Sequence, residues 1–351
     1  MRILVNALSG IGDALMFSPA LKLLHDKLPN YHIDMMVMFK SVSELYKNNP
    51  YISKIYFIDF LKQSKFKSMK QLLDLRSKDY FISINVYPSN RIEYNIVNRV
   101  IGANKRLGHR YANSGMLRCE FLNNIKISEE PNIHNVLQNI RLISRIIDIN
   151  ENEVGPMEIF LSEDDENLAK LYLQKKGIDF QSPIIGFHAG SSILKNHINK
   201  RWDKKKFADL GLRLIKEYSA NILLFGDEKE LNNEINSLMG GRAHNVLFPG
   251  YMDSMACLKF CNLMVSNDTA FLHSASALSV PVAGIFGYTN YRELYPWKTK
   301  YEIIRKDLDC SPCFYNSPKY AKCKWKGMES FKCMKNIETE EVLTACRSLL
   351  S

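Results

Sequence analysis

A repeated strand–turn–helix pattern constrains the fold of this chain more than any other feature. It is clearest in residues 262–290. The apolar run at 262–265 predicts a buried strand, Asp268-Thr269 predicts the start of a helix, and the apolar residues 280–286 predict the next strand. Strands that alternate with helices form parallel sheets covered by helices on both faces. We therefore predict an α/β fold.

The same alternation continues along the 351 residues, a length that suggests about two domains. The chain opens with a strand, a glycine-containing turn and a helix that we expect over 13–28. Residues 150–156 are polar and turn-like, and Pro183 interrupts the chain before a second set of strands. We predict domains at 1–160 and 161–335, followed by a C-terminal helix at 336–351 that packs back on the first domain.

The net charge of +10 is unevenly distributed along the chain. Residues 62–110 carry eleven Lys or Arg and only three acidic residues. Such a basic face attracts anionic lipid, acidic sugars or nucleic acid, and a solvated lysine-rich surface is the alternative. We find no nucleic-acid-binding motif and expect no nucleic-acid partner. The short apolar start reads as a strand and not as a signal peptide, so we expect a cytoplasmic protein.

Four of the eight cysteines are clustered late in the chain. They are Cys310, Cys313, Cys323 and Cys333, in the pattern C-x2-C-x9-C-x9-C. Four thiolates suit tetrahedral zinc or iron, free thiols are the alternative, and disulfides are disfavoured in the cytoplasm. The cluster is therefore a candidate metal site.

Polar residues follow several of the predicted strands. Asp13, Ser191, Gly226 and Asp268 all occupy such positions. Ligand sites of parallel sheets lie at the carboxyl ends of the strands, so we expect these residues to converge on one cleft. Asp268-Thr269 at a helix start would offer backbone N–H groups to a phosphate, and an ordinary helix cap is the alternative.

The ordered set of motifs resembles glycosyltransferase family 9, the ADP-heptose:lipopolysaccharide heptosyltransferases. The resemblance is strongest in residues 1–30 and 184–290. It implies the GT-B fold, in which two Rossmann-like parallel-sheet domains face a cleft. The N-terminal domain would bind the acceptor and the C-terminal domain the nucleotide sugar.

The resemblance also implies roles for individual residues. Asp13 would be the catalytic base that deprotonates the acceptor hydroxyl. Lys200, in the Lys-x-Trp motif, would neutralise the leaving diphosphate, with Lys195 as a competing candidate. We expect Arg201 at the surface and Trp202 in the packing of the domain.

The remaining residues of the nucleotide-sugar site are expected in three loops, and the residues are Ser191, Ser192, Glu230, Asp268, Thr269, Ala270 and His273. The two serines would donate to phosphate, and Glu230 would hold the ribose hydroxyls. Ala270 replaces the glycine of the family's Asp-Thr-Gly motif, which is harmless if this position begins a helix. His273 would contact phosphate or sugar, and a buried structural histidine is the alternative.

The resemblance implies an inverting, metal-independent transfer of heptose from ADP-heptose to a lipopolysaccharide core or a related glycan. A different donor sugar, a protein acceptor, a GT-B sugar-nucleotide epimerase and an inactive binding module are the alternatives. The expected partners are an ADP-sugar donor, an anionic glycan or glycolipid acceptor and, peripherally, the inner membrane surface. The acceptor candidates are basic residues of the first domain: Lys62, Lys65, Arg91, Lys105, Arg106 and Arg110. We expect no cofactor for catalysis; zinc or iron at the cysteine cluster would be structural.

Overall fold

The computed structural model describes residues 1–112, 118–248, 250–315 and 320–351, without the side chains of residues 194 and 195. Within that description the chain forms two compact units, Met1–Phe160 and Leu161–Ser351. No helix of the described residues is long and apolar enough to cross a bilayer.

The first unit is a parallel sheet covered by helices. Its strands are β1 (Arg2–Ala7), β2 (His32–Val37), β3 (Lys54–Phe57), β4 (Ile82–Asn85), β5 (Lys105–Arg110) and β6 (Ile125–Ser128). Its helices are α1 (Ile11–Leu15), α2 (Ser18–Lys27), α3 (Lys40–Leu45), α4 (Lys65–Arg76), α5 (Ile92–Ile101) and α6 (Asn135–Ile143). The strand order is β3-β2-β1-β4-β5-β6, the arrangement of a Rossmann sheet.

The second unit repeats this architecture. Its strands are β7 (Ile184–His188), β8 (Asn221–Leu224), β9 (Ala243–Asn245), β10 (Leu263–Asn267), β11 (Val282–Ile285) and β12 (Tyr301–Ile304). Its helices are α7 (Glu163–Lys175), α8 (Lys204–Tyr218), α9 (Lys229–Leu238), α10 (Tyr251–Leu258), α11 (Ala270–Ala277), α12 (Tyr291–Leu294), α13 (Lys332–Lys335) and α14 (Thr339–Leu350). The order β9-β8-β7-β10-β11-β12 matches the first sheet strand for strand, and all pairs are parallel. The α/β prediction is confirmed.

The central strands are buried on both faces, as parallel sheets require. Strands β4, β7, β10 and β11 are buried along their whole length. Leu4, Met36 and Leu72 belong to one apolar core of the first unit. Phe187, Ile222 and Val265 belong to the core of the second.

A closed ring of five asparagines is buried in the first unit. Asn6 donates to Asn85 and Asn98 at 3.0 and 3.1 Å, and Asn85 donates to Asn95 at 3.3 Å. Asn98 donates to Asn123 and Asn123 to Asn95, both at 2.7 Å. Each side chain is at most 2% exposed. Because buried amides need partners, the ring fixes the ends of β1 and β4 against α5.

One sequence expectation needs correction. The helix expected over 13–28 is interrupted: α1 ends at Leu15, and α2 begins at Ser18 with Pro19 in its first turn. Proline lacks the N–H that a continuous helix would use, so it favours a new start. The apolar face of the C-terminal helix α14 lies against α8 and strands β10–β12 of its own unit, and its packing on the first domain stays a prediction.

Candidate functional site

Three neighbouring strands of the second unit end in polar loops. Strands β10, β7 and β8 are adjacent, so their carboxyl ends lie at one edge of the sheet. Asp268 and Thr269 follow β10, Ser191 follows β7 by three residues, and Glu228 follows β8 by four. The structure therefore brings the predicted Ser191, Asp268 and Thr269 to one edge.

Lys200 and Asp268 form a shielded ion pair at this edge. The Lys200 Nζ lies 2.7 Å from Oδ2 and 3.3 Å from the backbone oxygen of Asp268. The two side chains are 16% and 5% exposed. Burial raises the pKa of Asp268, but the charge and hydrogen bond of Lys200 outweigh it and hold that pKa below its usual value. Asp268 thus fixes the position of the Lys200 side chain.

Helix α11 begins directly after this pair. Thr269 is its N-cap residue, with φ −146°, and Ala270 is its first residue. The alanine therefore begins the helix without a positive φ, so the backbone does not require glycine at this position. The Thr269 side chain does not cap this helix, so the N–H groups of its first turn receive no hydrogen bond from it.

Asn267, which the sequence analysis did not single out, joins the loops together. Its Nδ2 donates to the backbone oxygens of Ala189 and Gly190 at 2.9 and 3.2 Å. Its Oδ1 accepts from the backbone N–H of Trp202 at 3.0 Å. Asn267 is fully buried. It thus fixes the loop after β7 and the segment that carries Lys200 relative to β10.

Glu228 and Arg201 brace Ser191. Oε1 of Glu228 accepts from the Ser191 backbone N–H at 2.8 Å and from Arg201 at 3.2 Å. Arg201 also donates to the Ser191 backbone oxygen at 2.8 Å and hydroxyl at 3.2 Å. These contacts leave the Arg201 side chain 20% exposed, so it lies only partly at the surface. Trp202 packs in the core as predicted, with its indole N–H on Ile337.

Glu230, the predicted ribose ligand, is not part of the hydrogen bonds between Glu228, Arg201 and Ser191. It is exposed in the first turn of α9, two residues after Glu228. Ser192 is exposed beside Ser191. The competing cation, Lys195, has a side chain outside the described residues. The ribose role of Glu230 stays a prediction.

Two buried histidines line the same edge. His188 contacts the Thr269 hydroxyl through Nδ1 at 2.9 Å and stacks on Phe271. Burial and the nearby Arg201 lower its pKa to about 3, so its 3.9 Å approach to Glu228 is not an ion pair at neutral pH. Burial lowers the pKa of His273 to about 4, although Asp268 opposes this. Nδ1 of His273 is buried and has no hydrogen-bond partner in the described structure.

Asp13 belongs to the first unit. It lies half-buried in the first turn of α1, after the carboxyl end of β1. Its charge contributes to the raised pKa of Tyr94, about 12, for which burial is the main cause. Gly10 in the preceding turn has a φ of −67°, which any residue can adopt, and an added Cβ there would meet nothing within 4 Å.

The six basic acceptor candidates do not form one group. Lys62 and Lys65 lie after β3, and Arg91 caps α5. Lys105 and Arg106 begin β5, whereas Arg110 ends it, so the first two lie at the amino edge of the sheet. Arg106 there donates to the backbone oxygens of Leu122 and Ala103. Lys105 and Arg106 are therefore placed away from the edge that carries Asp13.

The four late cysteines line a single pocket of about 230 Å³. Burial and the neighbouring cysteines raise the pKa of Cys333 to about 11. In the described residues, however, no three His, Cys, Asp or Glu side chains are close enough together to bind one ion. The four donors thus share one pocket with suitable chemistry, without standing at ligand distances.

The cysteine-rich segment also supports the loop that carries Lys200. Asn196 donates to the backbone oxygen of Ala321 at 2.9 Å. His197 contacts the Tyr288 hydroxyl at 3.1 Å, and Tyr288 lines the cysteine pocket. The Ser191 hydroxyl donates to the backbone oxygen of His197 at 2.8 Å. The pocket and the Lys200–Asp268 pair are therefore linked by direct contacts.

Comparisons with known proteins agree with this fold. The family model described as glycosyltransferase family 9 (heptosyltransferase) matches residues 70–324. The chain is 25% identical to lipooligosaccharide heptosyltransferase 2 of Campylobacter jejuni, over 100% of this chain and 98% of the relative. It is similar in structure to E. coli ADP-heptose lipopolysaccharide heptosyltransferase II (TM-score 0.74, 21% identity, 100% and 98% covered). A glycosyltransferase family 9 structure from Veillonella parvula gives a TM-score of 0.78 (18% identity, 99% and 97% covered).

Proposed function

Because the chain belongs to glycosyltransferase family 9, we propose that it transfers heptose from ADP-heptose to a lipopolysaccharide core or related glycan. The observation that carries the proposal is the Lys200–Asp268 pair beside the uncapped start of α11. A cation and free backbone N–H groups at one point form a site for a diphosphate. The full-length relative from C. jejuni is named a heptosyltransferase, which supports this sugar.

The proposed reaction is a single displacement with inversion. The acceptor hydroxyl oxygen bonds to the anomeric carbon of heptose while the bond from that carbon to the diphosphate oxygen breaks. The hydroxyl proton passes to the carboxylate of Asp13, and ADP leaves with the bonding electron pair. Lys200 and the first turn of α11 stabilise the charge that develops on the diphosphate. Glu230 holds the ribose in this scheme, and no step uses a metal ion.

His188 and His273 would serve this site as neutral groups. Their low pKa values mean that neither adds positive charge beside Lys200 at neutral pH. Nδ1 of His273, which has no partner in the described structure, would bond to a hydroxyl or phosphate oxygen of the donor in this scheme. Its burial makes such a hydrogen bond favourable, because an unpaired buried polar atom is costly.

We also propose that the cysteine pocket holds a structural zinc or iron ion. Cys310, Cys313, Cys323 and Cys333 would supply four thiolates, the ligand set that both metals accept. The ion would keep the segment around Ala321 and Phe331 folded against the Lys200 loop. It would take no part in the transfer itself.

The proposed site of action is the cytoplasmic face of the inner membrane, where a lipid-anchored acceptor is presented. The donor would be a soluble ADP-sugar and the acceptor an anionic glycolipid. The many exposed lysines of the first unit support such a partner.

The test is ADP release by the purified chain with ADP-heptose and a heptose-free core acceptor. Asp13→Asn should lower turnover by about 10²–10⁴-fold and leave donor binding unchanged, because a general base acts only in the transition state. Thermal stabilisation by ADP, compared with UDP and GDP, measures donor binding. Stronger stabilisation by UDP or GDP would refute ADP-heptose, and a changed sugar without acceptor would indicate an epimerase.

A further inference from the structure

Helix α4 has an apolar stripe on its exposed side. Its inner residues Leu72 and Leu75 are 4% and 2% exposed and pack in the first unit. Phe66, Met69 and Leu73 are 83%, 44% and 51% exposed. Their spacing of three and four residues places them on one face of the helix, beside the face that is buried in the core. A surface helix ordinarily carries polar residues there, so this face is unusual.

Lysines surround the stripe. Lys67 and Lys70 are exposed on the same helix. Residues 61–78 carry six basic residues and one acidic residue, Asp74. The basic residues are Lys62, Lys65, Lys67, Lys70, Arg76 and Lys78. Leu61, 66% exposed in the preceding loop, extends the apolar surface.

The position of this surface suits the reaction. The loop that carries Leu61 follows the carboxyl end of β3, and α4 begins at Lys65. Asp13 follows the carboxyl end of β1, and β1, β2 and β3 are parallel neighbours. The start of α4 and the proposed base therefore lie at the same edge of the first sheet.

Helix α7 of the second unit provides a comparison. It also exposes two leucines, Leu168 (66%) and Leu171 (53%). Its first turn, however, consists of four acidic residues, 163–166. Exposed leucines thus occur on both helices, but α4 has no acidic residue in its first turn, where α7 has four.

We propose that Leu61, Phe66, Met69 and Leu73, with Lys67 and Lys70 beside them, form a docking stripe for an anionic lipid bilayer. The apolar side chains enter the interface between headgroups and acyl chains, and the lysines contact lipid phosphates. Charge complementarity decides the occupant, because six basic residues against one acid favour an anionic surface over an apolar protein groove. The stripe would bring a lipid-anchored acceptor to Asp13, and this use of it rests on the proposed function. The binding of the stripe to a bilayer does not.

The test is co-sedimentation of the full chain with vesicles of phosphatidylcholine, with and without phosphatidylglycerol. Wild type should bind the anionic vesicles, and more weakly at high salt. The double variant Phe66→Ser/Leu73→Ser should bind at least about tenfold more weakly, since it loses most of the inserted apolar surface. The matched control Leu168→Ser/Leu171→Ser should bind like wild type. Circular dichroism melting checks that both variants fold.

Three outcomes would overturn the proposal. Equal binding to neutral and anionic vesicles would show that the lysines do not attract the bilayer. If Phe66→Ser/Leu73→Ser binds vesicles as tightly as wild type, the apolar stripe does not contact the bilayer. A wild-type oligomer that this variant converts to a monomer, with vesicle binding unchanged, would show that the stripe joins two copies of the chain.

Heptosyl transfer to a delipidated, soluble acceptor separates this proposal from the proposed function. Phe66→Ser/Leu73→Ser should retain wild-type transfer to that acceptor while it loses transfer to an acceptor in anionic vesicles. If wild type transfers heptose to neither acceptor, the proposed function is refuted. The docking proposal is then decided by the vesicle co-sedimentation alone.

Discussion

The carboxylate of Glu228 occupies the space into which a side chain at Gly190 would point. A Cβ built on Gly190 would lie 2.2 Å from the Glu228 carboxyl group. Gly226, with φ +106°, turns the chain after β8 so that Glu228 folds back over the neighbouring loop. The conformation of the loop after β7 therefore depends on its own Gly190 and on Gly226 and Glu228, which belong to the connection between β8 and α9.

Gly190→Ala should displace Glu228 and destabilise the second unit by about 1–3 kcal/mol, the usual cost of an extra buried methyl group. Urea unfolding followed by tryptophan fluorescence measures this, because Trp202, Trp297 and Trp325 all lie in that unit. An unfolding midpoint of Gly190→Ala equal to that of wild type would contradict the close contact.

Lys200→Ala should lower kcat about 10²–10³-fold, because it removes a fixed positive charge from the leaving diphosphate. The readout is the initial rate of ADP release at saturating donor. Lys204→Ala is the matched control, since Lys204 pairs with Glu234 on the exposed surface of α8 and α9. A loss of similar size in the control would show a general effect of charge, and wild-type turnover in Lys200→Ala would remove Lys200 from the mechanism.

Stability of the second unit should fall as the pH is lowered from about 6.5 towards 4. His188 and His273 have pKa values of about 3 and 4 when folded and an ordinary value near 6.5 when unfolded. The unfolded chain therefore binds more protons in this window, and acid favours unfolding. Above pH 6.5 both histidines are neutral in both states, and their contribution is constant.

The urea midpoint by tryptophan fluorescence, measured across this pH range, checks the prediction. His188→Gln should flatten the dependence, while His32→Gln, at an exposed position, should not. If the midpoint of wild type does not change between pH 7 and 5, the two histidines are not buried as neutral groups.

The purified chain should contain about one zinc or iron ion, measured by elemental analysis by mass spectrometry. Cys323→Ser/Cys333→Ser should lose the ion, and Cys119→Ser, in the other unit, should keep it. We also expect a higher KM for the donor in the double variant, because Asn196 and His197 would lose support near Lys200. Metal content that is independent of these cysteines would refute the site.

Sequence patterns were sufficient to predict strands that are strongly apolar and site residues that lie within one motif. The buried strands β7 and β10 and the start of α11 at Ala270 could be predicted because apolar runs and helix caps are local signals. Strand β5, Lys105–Arg110, was missed because it contains a single large apolar residue, Leu107, and is held by its neighbours in the sheet.

The hydrogen bonds that Glu228 and Asn267 make between the loops of the site could not be predicted in the same way. Glu228 and Glu230 both follow Gly226 closely, and spacing along the chain favoured Glu230. Only the positive φ of Gly226 turns Glu228 towards Ser191, 37 residues away in sequence. Asn267 was likewise hidden, because its partners at Gly190 and Trp202 are distant in the chain.

The asparagine ring of the first unit has a consequence for how its sequence can diverge. Each of the five amides has partners that are themselves members of the ring, so replacing one leaves a buried donor or acceptor unsatisfied on its neighbours. A single apolar replacement is therefore costly, whereas a joint replacement by apolar residues removes the unmet polar groups together. The five positions are thus expected to be inherited as one unit, kept intact or exchanged as a set.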